Sequence, residues 1–595
     1  METKKRLEAL RAEMKKNKID MYLIPMSDFH ASEYVTDYFK ETEFLTGFTG
    51  ENATVVVTQT KSGLWTDGRF FIQAKRELKG SGTTLFEMGE EGVPTVFEYI
   101  KKNLKANQTL GYDGRVISLA NHRKYEAIAK ENKAKINVKK NLIDKIWKER
   151  PSLPKTSLWV LQKKYAGVTL EEKLTNLRKV MKEKGADAHL LTCLYDTAWL
   201  LNLRANDIAS VPVFMSYVYV KQNKCVLYAF TEAIDKKVAK YLEDNKVVVK
   251  NYDEIYKDLA KETAKKVLID PAIVNVALIK SFPAKTQFVE DYNPTEIARA
   301  IKNKTEIKNT KEAHIKDGVA VTKFIYWLKK NVGKKKITEM SAADVLLEYR
   351  KEQKNFLDVS FDTISAYGPN AAMMHYSATE EHNAEILNKS FLLVDSGGHY
   401  LEGTTDITRT IAVGPLTEEE KHAYTTVVRC NLRLQEAHFP KGCIGQNLDI
   451  LARGPVWDEG LDYRCGTGHG VGHILSVHEG PQGFRWRVLD KSKVWELQPG
   501  MITTDEPGLY VEDGYGIRIE NELLCVEDQK TEYGQFYKFE QLTFTPFEVE
   551  AINVDELTHL ERKALNEYHA AVYEKISPYL TKEEAAWLKK VTKPL

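Results

Sequence analysis

Four carboxylates and one imidazole recur between Phe391 and Glu520 in settings where none belongs without a partner. Asp395 stands in FLLVDSGG and Asp406 in TTDITRTIAVG. His469 stands in GTGHGVGH, Glu506 in TTDEPGLY and Glu520 in GIRIENELL. A carboxylate in an apolar strand is costly to bury unless it is paired or bound to a cation. One such Asp reads most simply as an exposed strand position. Four acids and a His, all in strand-like or Gly-rich contexts, read as metal ligands. An oxygen-rich set with one nitrogen suits Mn²⁺, and less selectively Co²⁺ or Zn²⁺. Five ligands dominated by carboxylates can bridge two ions about 3.5–4 Å apart that share one hydroxide.

The local patterns predict elements that bring these groups together. FLLVDSG and TTDITRTIAV are apolar, β-branched runs joined by the turn chemistry of Gly398–Gly403, so they read as a hairpin. Asp395 and Asp406 then lie on paired strands. MITTDEPG and GIRIENELL predict a second hairpin around Glu512-Asp513-Gly514, with Glu506 near one end and Glu520 on the return strand. Strand side chains alternate, so Arg518 and Glu520 share one face and Ile517 and Ile519 the other. Around His469, the glycines of Gly466–Gly472 let the backbone approach closely. Two lookalikes fail. His469 and His473 have the spacing of HExxH, but Gly470 stands where the catalytic Glu belongs. The same glycines do not complete GxGxxG from either Gly466 or Gly468.

A chain of 595 residues is too long for one core and predicts two to four domains. Lys+Arg 86 against Asp+Glu 84 gives a net charge of +2, with no block that suggests nucleic acid. No apolar run approaches a membrane span, and METKKRLEALRAEMKKNK lacks the apolar core of a secretory signal. The six cysteines are scattered without a CxxC pair and read as reduced thiols of a cytoplasmic protein.

Three units are expected, at 1–153, 154–300 and 301–595. The first is α/β. A helix over Lys5–Lys16 leads to a strand in IDMYLIP, with further strand-like runs in EFLTGFTGENATVVVTQ and SGLWTDGRFFIQA. Pro151 and Pro154 mark its end. The second repeats the first: LRAEMKKNKIDMYLIP from Leu10 aligns with LRKVMKEKGADAHLLT from Leu177. Leu10/Leu177, Arg11/Arg178, Met14/Met181, Asp20/Asp187 and Leu23/Leu190 recur in register. The third opens and closes with helical patterns, carries a long helix over Thr417–Ala437, and holds the five candidate ligands.

The Asp395-x10-Asp406 pair, GTGHGVG-x5-HEGP, the DEPG turn and GIRIEN resemble the pita-bread metallopeptidases. Among these they are most similar to Xaa-Pro aminopeptidase (aminopeptidase P) in its long three-domain form. The resemblance covers nearly the whole chain. It implies an α/β (α+β) protein with two similar creatinase-like domains before a pita-bread catalytic domain, acting as a homodimer on peptides with proline second. It implies that Asp395 chelates one metal, that His469 and Glu506 bind the other, and that Asp406 and Glu520 bridge. The matching His375 and His478 face the substrate, and His478 donates to the carbonyl as charge develops there. Glu506 is the expected proton shuttle. Arg518 is expected to support the bridging carboxylates and to contact substrate. Arg69, in WTDGRFF, matches an arginine that reaches the substrate, and Tyr510 is a weaker candidate. One position departs from the family: Cys465 stands where HGTGH has its first His, which bears on the grip of the proline side. A prolidase shares all five ligands, but the length and duplicated N-terminal half fit the aminopeptidase better. A methionine aminopeptidase does not need two preceding domains. A peptide-binding pita-bread protein without catalysis, or a metal-free creatinase-like hydrolase, would lack the ligands.

Overall fold

The computed structural model describes residues 2–487 and 494–595. The chain forms two compact units, Met1–Gln162 with Val168–Thr295, and Lys163–Gly167 with Glu296–Leu595.

The first unit contains one topology twice. A six-stranded sheet centres on Met21–Pro25, which pairs antiparallel with Thr54–Thr58 and parallel with Thr109–Gly111. The second sheet centres on Ala188–Leu191, antiparallel to Ser216–Lys221 and parallel to Lys266–Ile269. The recurrent residues do the same work in each copy. Arg11 Nε donates to the Thr58 carbonyl and Arg178 Nε to the Lys221 carbonyl, both at 3.0 Å. Asp20 accepts from the Thr109 amide at 2.8 Å, and Asp187 from the Lys266 amide at 3.0 Å. Met14 and Met181 are fully buried. Two expected strand runs are corrected in part: EFLT lies in a helix over Glu41–Thr46, and the FIQA of SGLWTDGRFFIQA in a helix over Phe71–Glu77 that buries Phe71 and Ala74. Those two apolar residues have helical spacing. Buried polar contacts join the two copies. His30 lies against the Thr192 carbonyl at 2.8 Å and the Tyr252 hydroxyl at 2.6 Å, and Asn275 donates to the Phe29 carbonyl at 2.9 Å.

The second unit positions the candidate site. Its helices include Lys304–Asn331, Glu339–Lys351, Glu418–Gln435 and His559–Ile576. Asn303, Thr417 and Thr558 cap three of them, each with a Glu three residues on. That reciprocal box satisfies amides that a helix start leaves open. Phe391–Ser396 pairs antiparallel with Ile407–Ala412. Leu392 and Val394 turn to Val321, Phe324 and Leu328 of the helix Lys304–Asn331. Each such buried side chain is worth roughly 1.5–3 kcal/mol. Asp395 points to the opposite face by alternation.

The expected first hairpin is more elaborate than a turn. Gly398–Tyr400 and Gly403–Thr404 form a small ladder of their own between the main strands. Asp406 therefore lies one residue ahead of its strand. Thr408 stands opposite Asp395, so Asp406, two residues before Thr408, is Asp395's diagonal neighbour on the same face.

Candidate metal centre

The second hairpin forms as two ladders with a gap. Asp505 pairs with Asn521 on one side, and Gly508 with Arg518 on the other. Both ladders keep one register, so Glu506 and Glu520 face each other across the gap. Pro507 lacks the N–H to continue the ladder. The freed amides turn to neighbouring chain: Glu506 N–H donates to the Thr467 carbonyl at 2.8 Å and Glu520 N–H to the Thr408 carbonyl at 3.0 Å. The gap thus seats both glutamates next to the strands carrying His469 and Asp406. Ile517 and Ile519, on the other face, are fully buried in the C-terminal core.

His469 lies in the short strand Gly468–Gly470. A Cβ at Gly468 would come within 1.8 Å of the Thr504 carbonyl oxygen, and one at Gly470 within 2.3 Å of that of Glu479. Only glycine fits at either place. The close approach sets the imidazole: Nδ1 lies 2.9 Å from the Gly470 carbonyl, which accepts its hydrogen bond and turns Nε2 toward the carboxylates.

Ligand atoms of Asp406, His469 and Glu520 all lie within 4.8 Å of one another. Glu506 stands beside them, its Oε1 3.4 Å from His469 Nε2, while Asp406 Oδ2 is 3.5 Å from that nitrogen. Asp395 joins through its partners. Arg518 donates to Asp395 Oδ2 at 2.6 Å and lies 3.3 Å from Thr408 Oγ1, which donates to Glu520 at 2.8 Å. Among the described residues, the other Asp395 oxygen is buried with no hydrogen-bond partner.

Electrostatics show what this cluster lacks. Burial, then the Asp395 charge, raises the Asp406 carboxyl well above the usual carboxylate range. Burial, then Asp406, does the same to Glu520. Burial raises Glu506 too, with Arg518 opposing it. Buried like charges are costly, and a cation among them reverses that cost. The orphaned Asp395 oxygen, the His469 Nε2 facing Asp406 and Glu506, and the crowded carboxylates fit divalent metal ions.

The remaining expected residues divide. His478 packs edge-on against His469, ring centroids 4.2 Å apart. His375 is half-buried and follows Met374, whose carbonyl accepts from Arg518 at 3.3 Å. The Arg518 guanidinium donates to Asp395, to the Thr408 and Tyr510 hydroxyls and to the Met374 carbonyl. Arg518 is 3% exposed, and Thr408 links it to Glu520. Tyr510 accepts from Arg518 at 2.7 Å and takes part in that network. Arg69 belongs to the first unit, where it pairs with Asp67 at 2.9 Å. Cys465 is half-buried against the C-terminal core, and among the described residues none of the six cysteines forms a disulfide.

Sequence reasoning missed Glu522 and His314. Glu522 accepts the Asp406 amide at 2.7 Å and meets His314 Nε2 at 3.1 Å. Burial alone would lower the His314 pKa, but Glu522 raises it above its ordinary value. The alternation Glu520-x-Glu522 was a signal that both share one face.

A centre of this composition on this fold defines a creatinase-type metallopeptidase. The family model for the creatinase/prolidase N-terminal domain matches 6–146, and a second model of that description matches 149–306. Metallopeptidase family M24 matches 308–527, and the C-terminal region of peptidase M24 matches 535–595. The chain is 39% identical to a probable Xaa-Pro aminopeptidase P of Botryotinia fuckeliana, over all of this chain and 93% of that protein. It is 37% identical to Xaa-Pro aminopeptidase 1 of Dictyostelium discoideum, over 99% and 96%. The crystal structure of X-prolyl aminopeptidase from Caenorhabditis elegans, a cytosolic enzyme with a di-nuclear active site, superposes with a TM-score of 0.95. It is 33% identical and covers both chains fully. The chain belongs to the Xaa-Pro aminopeptidase P family. A likeness to Xaa-Pro dipeptidase from Bacillus anthracis covers only 64% of this chain, at 25% identity and a TM-score of 0.51.

Proposed function

We infer that this protein is a metal-dependent aminopeptidase that releases the first residue from peptides with proline second. The observation that carries this reading is the convergence of Asp406, His469 and Glu520 within 4.8 Å in a chain alike over its full length to Xaa-Pro aminopeptidases. A prolidase accounts for less of the chain.

The proposed holders of two divalent ions are Asp395, Asp406, His469, Glu506 and Glu520. Bound there, such ions lower the pKa of a coordinated water towards 7 and polarise a carbonyl. The protein's own groups do the rest. Glu506, the most exposed of the carboxylates at 21%, takes the proton released at attack and passes it to the proline nitrogen. His478 donates to the carbonyl oxygen as negative charge builds there. His375 lines the substrate side. Arg518 and Thr408 hold Asp395 and Glu520 in place, as groups behind metal ligands do. Arg69 and Arg518 are retained as substrate-contact proposals on family resemblance alone.

His478→Ala should lower kcat on an Xaa-Pro-Xaa tripeptide by about 10²–10³-fold with little change in KM, as loss of an oxyanion donor does. Both metals should stay bound. Steady-state kinetics with metal analysis test this; an unchanged kcat would remove His478 from the reaction.

Manganese as the ion in the cell, a homodimer and a cytoplasmic setting belong to the same proposal. Metal analysis of native protein, light scattering and cell fractionation test them. Among the described residues, no helix is long and apolar enough to cross a membrane.

A further inference from the structure

The segment from Val471 to His478 links the two histidines of the site, and groups outside the ligand set fix its shape. Its end adjoins Glu479, whose side chain is 1% exposed and meets two cations. Arg299 donates to Oε2 and Lys302 to Oε1, both in short contacts, and both cations are buried. Lys302 also donates to the Arg299 carbonyl at 2.9 Å. The carboxylate lies beneath the loop: a Cβ at Gly472 would come within 3.3 Å of Glu479 Oε2. A charge cluster this dry carries a heavy desolvation cost, so it does not explain itself by stability.

Midway, Ile474 is fully buried at φ +53°. A β-branched residue rarely adopts that conformation. Strain of this kind persists only where the surroundings over-determine it. Here the Ile474 amide donates to Thr404 Oγ1 at 2.9 Å, and the Gly472 amide to the Ser476 carbonyl at 3.1 Å. His473 Nδ1 lies 3.3 Å from Thr310 Oγ1. The loop is therefore strained at its centre, tethered near Asp406 through Thr404, and clamped where His478 emerges.

We propose that Glu479, held by Arg299 and Lys302, is a positioning residue that sets the His478 imidazole for the developing oxyanion. The proposal rests on the reading of His478 given above. Arg299 and Lys302 lie just past the point where the chain enters the second unit at Glu296. The clamp thus ties that point of entry to the catalytic loop.

The test is a double-mutant cycle on the metal-loaded full chain with an Xaa-Pro-Xaa tripeptide. Glu479→Gln should lower kcat by about 100-fold, the size of effect a 1 Å misplacement produces. KM should change little, and two metal ions per chain should remain. In a His478→Ala background the same substitution should change kcat by less than about threefold, because the group it positions is gone. Lys302→Met keeps the Arg299–Glu479 pair and should follow the same pattern with a smaller loss. It also carries the comparison if Glu479→Gln does not fold. Equal losses in both backgrounds, loss of metal from Glu479→Gln, or full kcat in Glu479→Gln would overturn the clamp. Full activity in His478→Ala alone would overturn the role of His478, and the clamp with it.

Discussion

Replacing Asp406 by Asn, or His469 by Ala, is expected to cut tripeptide hydrolysis by more than about a thousandfold. The reason lies in what bound ions supply: they bring the pKa of water from 15.7 to about 7, and neutral protein groups cannot replace that. Among the described residues, Asp406 and His469 belong to the one set whose ligand atoms mutually converge. Asn keeps the size of Asp406 but not its charge, and Ala removes the only nitrogen of the set. The fold should survive in each case, because neither side chain holds the core clusters together. Activity with metal analysis and circular dichroism check this together. Full activity in either variant would overturn the assignment of the site.

Stripping the metals should leave a protein whose stability falls as pH rises, and Asp406→Asn should remove part of that fall. Folding raises the carboxyls of Asp406 and Glu520 well above their usual range, chiefly by burial and then by neighbouring acids, Asp395 foremost for Asp406 and Asp406 foremost for Glu520. Between the unfolded value of about 4 and the raised folded values, the folded state therefore binds more protons than the unfolded one. Their contribution is intact below about pH 4 and is lost as pH rises towards the folded values. Each unit of upward shift costs about 1.4 kcal/mol once the group is ionised. In calorimetry of metal-free protein, Asp406→Asn should melt a few degrees above wild type at pH 8, on the order expected for one to two kcal/mol. Near pH 4 the difference should vanish. Saturating metal should reverse the order at pH 8, since wild type alone gains the full binding energy. Identical pH dependence in the two metal-free proteins would contradict the crowding of charge described here.

Much of this site was legible because its signals are local. Period-2 alternation placed Glu520 on a face, the β-branched runs around Asp395 and Asp406 predicted their pairing, and the glycines flanking His469 announced a close backbone approach. The repeat was legible for a physical reason as well. Arg11 and Arg178, like Asp20 and Asp187, each close the same joint between a helix and its sheet. What stayed hidden depends on distant partners. Nothing near Arg518 in sequence says that it turns to Asp395, 123 residues away. Nothing near Glu479 points to Arg299 and Lys302. The opposition of Glu506 and Glu520 needed the exact register on both sides of Pro507, which a hairpin prediction does not supply. The runs EFLT and FIQA were misread because a short apolar segment does not declare its period.

The central claim, metal-dependent removal of a residue that precedes proline, is tested most directly with metal-stripped protein. Such protein is given an Xaa-Pro-Xaa tripeptide and an Xaa-Pro dipeptide, with and without Mn²⁺. The account predicts release of the first residue from the tripeptide, and only when metal is returned. Cleavage of the dipeptide alone would make the protein a prolidase, and cleavage of neither with any of several divalent metals would contradict the account.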